Sequence, residues 1–272
     1  MASGFHQGEF AGTNWDIGLY HEFSNLRLRP GLELLGRVQG TFPSVIYDLG
    51  CGAGQLARII AERWPSASVF GVDNSKQMLE AAASEGGQVE WVEGDLGDWQ
   101  PEKSPDLLYS NAALHWVTSH HLLFPRLVGL LNDGGCLAVQ MPLSWAAPSH
   151  RLMRETLANG GANGAPLGTE KLRQAVGSNW VKSATEYHEL LAGRVRSLDV
   201  WETEYLQVFA GEDPVIAWVK GTGLRPILNT LNDNDRAVFL LEYSRRLRVE
   251  YPMNSDGKTL YPFRRLFIVA TV

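Results

Sequence analysis

From Val45 onward, short apolar runs alternate with amphipathic stretches regularly enough to name the elements. Val45–Leu49, Ser68–Val72, Val89–Val92, Leu107–Ser110 and Cys136–Met141 are brief and rich in β-branched or aromatic residues, as strands buried on both faces are. Between them Gln55–Trp64, Ser75–Ser84 and Leu122–Leu131 place apolar residues at helical spacing. Pro65 stops the first of these helices, Asn74 and Ser75 suit the N-cap of the second, and Asn132-Asp133-Gly134-Gly135 turns the third into a strand. Parallel strands joined by helices predict a doubly wound α/β sheet, which takes its ligands outside the strands' carboxyl ends.

The flanks break this rhythm. Residues 1–14 show little periodicity, and Asp16 to Val38 reads as helix interrupted at Pro30, with a second helix from Pro30 to Arg37. After Met141 come a helix near His150–Leu157, a glycine-rich link (Gly160, Gly161, Gly164, Gly168), a further helical stretch and a helix around Tyr187–Gly193. A long strand, Leu198–Phe209, precedes helices at Pro214–Thr222 and Asp235–Tyr251, and Leu266–Val272 is a final apolar strand. The organisation expected is an N-terminal helical cap (1–40), a ligand-binding core (41–142), a helical lid insert (143–185), and the rest of the sheet (186–272) with a second insert at about 213–258.

Composition adds limits. The chain has 272 residues, enough for one sizeable α/β domain with insertions. No apolar run approaches the roughly 20 residues of a membrane span, and a signal-peptide pattern is missing. Cys51 and Cys136 both fall in expected core without metal-ligand spacing, so a reducing, cytoplasmic setting is the simplest reading. The net charge of −6 argues against broad nucleic-acid binding. Local basic pairs and triplets remain: Arg27/Arg29, Arg245/Arg246/Arg248 and Arg264/Arg265 are either solvated faces or recognition points for a small anion.

The candidate chemistry lies at Asp48-Leu49-Gly50-Cys51-Gly52-Ala53-Gly54-Gln55, where an apolar strand enters a glycine turn and a helix follows. Such a turn offers backbone N–H groups to a ligand. Dinucleotide and triphosphate loops need G-x-G-x-x-G or G-x-x-x-x-G-K-[ST]. Here the third glycine comes two residues after the second and position 55 is Gln. Asp48 would oppose a phosphate, and suits a ligand with a cationic amino-acid end. Asp73 follows the second strand, where a carboxylate accepts hydrogen bonds from ribose hydroxyls, and Asn111 ends the fourth.

These motifs resemble the class I S-adenosylmethionine-dependent methyltransferases. The resemblance implies a seven-stranded Rossmann-like sheet, last strand antiparallel, with helical lid insertions. It implies a cofactor set of Asp48, Gly50, Cys51, Gly52, Gly54, Asp73, Asn74, Met78, Asp95, Leu96 and Asn111, with Asp95 reading the adenine amino group. Over nearly the whole chain the sequence is similar to the trans-aconitate 2-methyltransferase family. The segments that carry this are Leu19-Tyr20, Arg27-Leu28-Arg29-Pro30, Val139-Gln140-Met141-Pro142, His150, Leu152-Met153-Arg154-Glu155, Thr222-Gly223-Leu224-Arg225-Pro226 and Arg265-Leu266-Phe267-Ile268. Members of that family esterify one carboxylate of a small tricarboxylic acid, so a small polycarboxylate is the expected acceptor, with no metal, nucleic acid or membrane. A monomer and a homodimer are equally compatible.

Some positions depart from the family. His115 stands where the family has Gln, Leu143-Ser144 replaces its polar pair, and Tyr205-Leu206-Gln207 replaces a Tyr-His-Gln-like segment. A carboxylate of pKa roughly 4 is already a nucleophile at neutral pH, so the protein must orient it rather than deprotonate it. Arg29, Arg225 and Arg265, with Arg27, are the expected clamps. Tyr20 and Trp116 are expected beside the methyl site, and Tyr187 and Tyr205 as donors to a carboxylate. His115 is a wall residue or a general base. The base reading would redirect the chemistry to a thioester-linked malonyl group or a secondary metabolite. A cyclase-like protein that binds the cofactor without methylating is the other alternative.

Overall fold

The computed structural model describes residues 24–39 and 42–272. Tyr20 and the expected helix before residue 24 lie outside the described residues. Seven strands form one sheet in the order β3-β2-β1-β4-β5-β7-β6. They are β1 (Val45–Leu49), β2 (Ser68–Asp73), β3 (Val89–Glu93), β4 (Leu107–Asn111), β5 (Cys136–Pro142), β6 (Ser197–Ala210) and β7 (Lys258–Thr271). The first five are mutually parallel, and β7 runs antiparallel to both β5 and β6. Chain order reverses direction across the sheet between β1 and β4, and the crevice outside that pair is where a doubly wound sheet receives a ligand.

The first six strands lie within one residue of their expected ends. The last does not: β7 begins at Lys258, eight residues before Leu266. Thr259, Tyr261, Phe263 and Arg265 alternate inward with period two, but Pro262 and two arginines mask the pattern in the sequence. Pro262 is tolerated because β5 pairs with β7 only from Arg265 onward, so at position 262 one edge of β7 needs no donor.

Helices α1 (Ser24–Arg37), α2 (Gln55–Arg63), α3 (Lys76–Ser84), α4 (His120–Gly129) and α7 (Ala184–Leu191) cover the two faces of the sheet. Pro30 does not start α1 but lies inside it. Tertiary contacts hold the helix through that defect: Tyr109 Oη donates to the Gly31 carbonyl (2.7 Å), Leu34 and Leu35 are buried, and Arg63 caps the Leu35 and Val38 carbonyls. Ser75 caps α3 by accepting from the Met78 amide, and α7 begins with a Ser183/Glu186 capping box.

The two expected inserts form one packed unit. Helices α5 (Pro148–Asn159) and α6 (Glu170–Gly177) follow β5. Helices α8 (Pro214–Lys220), α9 (Arg225–Thr230) and α10 (Asp233–Glu250) separate β6 from β7. Met153, Leu172, Trp218, Ile227, Phe239 and Tyr243 bury one another with Phe209, Tyr261 and Phe263 of the β6–β7 ribbon. The ribbon projects beyond the other strands and carries this third core over their carboxyl ends. The short helix α9 was not among the expected elements, since six residues are too few to show a helical period in the sequence. Among the described residues no helix is long and apolar enough to cross a membrane.

Candidate functional site

A cavity of about 590 Å³ lies between the sheet's carboxyl edge and this helical unit. Its sheet wall is lined by Gly50, Gly52, Asp73, Asn74, Met78, Leu96 and Asn111. Asp48 and Cys51 line a smaller adjoining recess, which Gly50 and Asn111 share. Seven of the eleven residues expected to hold the cofactor thus line the cavity, and two more line the recess. Gly54 and Asp95 line neither. Gly54 shapes the turn, and Asp95 Oδ1 accepts from the Gly97 amide (2.8 Å), forming the loop that carries Leu96.

Glycine is required in this turn for two separate reasons. Gly50 has φ 78°, and a Cβ there would come within 2.1 Å of the Ala113 Cβ. Gly54 has φ 77°, and a Cβ there would lie 2.2 Å from the Trp91 ring. Both positions are left-handed and crowded, so any side chain would displace the loop. The amides of Gly50 and Cys51 hold the turn to the Val72 carbonyl at 2.7 and 3.0 Å.

The sheet wall is acidic. Asp73 accepts from the Gly52 amide through Oδ2 and from the Ser75 amide through Oδ1, both at 2.9 Å, so one carboxylate ties the glycine turn to the start of α3. Asp48 is buried and its Oδ2 has no hydrogen-bond partner. Burial, then the charge of Asp73, push its pKa up to about 7. A buried carboxylate left short of partners is costly unless a cation meets it. Asn111 also presents a buried Oδ1 without a partner. The next residue, Ala112, has φ 54°, a conformation uncommon for a side-chain-bearing residue, and it too lines the cavity. Orphaned acceptors beside a glycine-rich turn with only small side chains fit a ligand bearing an ammonium group and a ribose.

The opposite wall is cationic. Arg265, on β7, is 4% exposed, and its Nη1 donates to Gln140 Oε1 at 3.1 Å. Its Nε has no hydrogen-bond partner, nor does Gln140 Nε2. Burial lowers the Arg265 pKa to about 10, which leaves the guanidinium charged at neutral pH. Arg27 of α1 reaches the cavity beside Trp218, 5.1 Å from that ring's centroid. Arg264 also lines the cavity but pairs with Glu202.

His115 and Trp116 occupy a short 3-10 turn, Leu114–Trp116, and both line the cavity. Burial, then the charge of Arg265, lower the His115 pKa to about 3, and its buried Nδ1 lacks a partner. The ring is therefore a neutral hydrogen-bonding group at working pH.

Four expected substrate residues stand elsewhere. Arg29 is exposed on α1 and pairs with Glu33 (2.8 Å). Arg225 begins α9 half-buried; its neighbours Gly223 and Pro226 line the cavity, and Arg225 does not. Tyr187 is fully buried behind the sheet, hydrogen-bonded to His120 Nδ1. Tyr205 packs against α1 and donates to Glu33 Oε2. In each case the residue lies in or near a cap segment, but helix phase or strand parity turns its side chain away. Cys51, expected in the core, is only half-buried because it lines the recess; Cys136 is buried, and both are free thiols.

Sequence reasoning passed over His150, Met153, Arg154 and Trp145, all of which line the cavity. The signal was available: 150, 153 and 154 share one helical face. His150 Nδ1 lies 3.2 Å from Ser149 Oγ, and burial lowers its pKa to about 4.

A family model described as a methyltransferase domain matches residues 46–135. The trans-aconitate 2-methyltransferase of Pseudomonas aeruginosa is 44% identical over 260 residues, covering 96% of this chain and 94% of the relative. The Escherichia coli O157:H7 enzyme of the same name is 38% identical over 258 residues, covering 95% and 98%. Among solved structures, Haemonchus contortus phosphoethanolamine N-methyltransferase 2, in complex with phosphomonomethylethanolamine and S-adenosylhomocysteine, superposes with a TM-score of 0.52. It is 16% identical, over 89% of this chain and 52% of that one, a likeness of fold.

Proposed function

The chain belongs to the trans-aconitate 2-methyltransferase family of S-adenosylmethionine-dependent methyltransferases, and we propose that it esterifies one carboxylate of a small polycarboxylic acid, trans-aconitate or a near relative. S-adenosylmethionine supplies the reaction with an electrophilic methyl group. In this reading the chain's residues do the rest by binding and orientation. Asp48 meets the ammonium group in the recess, which favours its ionised form and relieves its buried charge. Asp73 accepts from ribose hydroxyls while Gly52 and Ser75 hold its carboxylate in place. Asn111 and Trp116 border the reacting end, and Leu96, Met78 and Asn74 complete the wall. The two groups of inserted helices, packed as one unit, serve as the lid.

One observation carries the choice of acceptor. Arg265 is a buried cation facing the cavity, and among the described residues its Nε is unpaired and no carboxylate is bonded to it. A carboxylate of the acid supplies the missing partner, and a charge-assisted bond at a dry site is among the stronger polar contacts. The acceptor carboxylate needs no base, in keeping with the neutral, weakly basic His115.

The test is incubation of the protein with methyl-labelled cofactor and a panel of organic acids, following both methyl ester and demethylated cofactor. A methyl ester from trans-aconitate or a close polycarboxylate is expected. Failure with every acid would overturn the assignment of acceptor, and absence of demethylated cofactor with all acceptors would point to binding without transfer.

A further inference from the structure

Arg154 projects from α5 into the cavity at a point distinct from Arg265, which comes from β7. Its guanidinium carbon sits 4.1 Å from the centroid of the Trp145 ring. Trp145 is itself anchored, its Nε1 donating to the Gly177 carbonyl at the end of α6 (3.1 Å). The stack therefore has a fixed platform on one side. Stacking consumes a face of the guanidinium and leaves the in-plane N–H groups available, the arrangement that suits a bidentate carboxylate. The adjacent acid in sequence is already engaged: Glu155 pairs with Arg151 at 2.7 Å. No hydrogen bond joins Arg154 to any described residue.

Resting on the polycarboxylate reading above, we propose that the Arg154–Trp145 stack is a second carboxylate subsite, and that it sets the preference for a tricarboxylate over a dicarboxylate. The counting is chemical. One carboxylate must lie unclamped beside the methyl donor, and Arg265 holds a second. A third finds its cation at Arg154, carried by a different element of the same wall. His150, one helical turn earlier, is uncharged at neutral pH, and Lys182, which also lines the cavity, pairs with Glu186 at 3.3 Å; Arg154 has no acid bonded to it among the described residues.

The experiment compares the wild type with Arg154→Gln and Arg154→Lys. Steady-state constants are measured with trans-aconitate. Inhibition constants are measured for itaconate, mesaconate and glutaconate, each of which lacks a different one of its three carboxylates. In Arg154→Gln, KM for the tricarboxylate should rise about 10- to 100-fold with kcat within about threefold, the signature of lost binding common to ground and transition states. One of the three dicarboxylates, the one without the carboxylate that Arg154 holds, should bind both proteins equally within about twofold. Arg154→Lys should recover part of the loss, since an ammonium keeps the charge without the fork.

Unchanged tricarboxylate kinetics in Arg154→Gln would overturn the proposal. So would equal weakening of all three dicarboxylates. Affinity for S-adenosylhomocysteine and the melting temperature check that the variant is folded. Should Arg154→Gln not fold, Arg154→Lys and Trp145→Phe carry the same comparison. Failure of the acceptor assignment has a different signature, no ester from trans-aconitate in the wild type.

Discussion

The two walls of the cavity are built in opposite ways. The sheet wall is acidic and assembled from consecutive strand ends, Asp48, Asp73 and Asn111, each one or two residues from a turn that fixes it. The cap wall is cationic and assembled from residues distant in the chain: Arg27 on α1, Arg154 on α5 and Arg265 on β7. A chain of net charge −6 thus gathers its cationic side chains where an anion would sit. The difference teaches how the labour is divided. In the proposed function, a common cofactor is met by local motifs on the rigid sheet, and the acceptor by side chains that only the packing of inserts brings together.

Removing the buried cation should break the cap wall most severely. In Arg265→Gln, kcat/KM for the acid should fall on the order of 100-fold or more, as expected for a lost charged hydrogen bond, while S-adenosylhomocysteine affinity stays within about threefold. Isothermal titration alongside steady-state kinetics separates the two walls. An equal loss of both affinities would mean that Arg265 supports the fold rather than the acid.

The converse experiment is Asp48→Asn. Cofactor affinity should weaken roughly 10-fold or more with little change in affinity for the acid. Stability should move the other way. The Asp48 pKa is raised to about 7 in the fold against about 3.9 in the unfolded chain, so between these values the folded state holds the extra proton and stability falls as pH rises. Asp48→Asn removes that penalty. Its melting temperature without cofactor should exceed the wild type's, by a margin that grows from pH 4 to about pH 7 and then levels off. A constant margin across this range would show that Asp48 is not the group responsible.

Smaller effects sharpen the picture. His115→Gln restores the residue expected in the family, and with the pKa of His115 lowered to about 3 it should change kcat less than about threefold, with the pH profile between 6 and 8 retained. Loss of turnover beyond about 100-fold would revive the base reading and a different acceptor. Smallest of all should be Arg29→Gln, whose exposed pair with Glu33 lies outside the cavity. Its KM for the acid should stay within about twofold of the wild type, since exposed ion pairs contribute little. A large increase would bring Arg29 itself into the site.

Much of the sheet wall was legible beforehand because its determinants are local. A strand of four apolar residues and one carboxylate, a glycine turn and a helix directly after it specify both the element and the position of that carboxylate near the strand's end. The early strands were legible for the same reason, being buried on both faces and bounded by turn formers. β7 was partly hidden, because half its length alternates polar with apolar around Pro262. Among the arginines, sequence reasoning found the cap segments but not always the side chain within them. Arg265 is buried against Gln140 while Arg264, one residue apart, is exposed and paired with Glu202; Gly223 and Pro226 reach the cavity while Arg225 does not.

The sequence by itself determined the family, the order of the strands and most helices, and the acidic, glycine-rich turn that suits the cofactor, since each depends on residues within a few positions of one another. Tertiary structure alone decided which cations face the acceptor. That choice turns on the parity of a 14-residue strand, the phase of α5 and the merging of two inserts around Trp218 and Tyr243. Packing over long sequence separations sets those quantities, and local composition does not encode them.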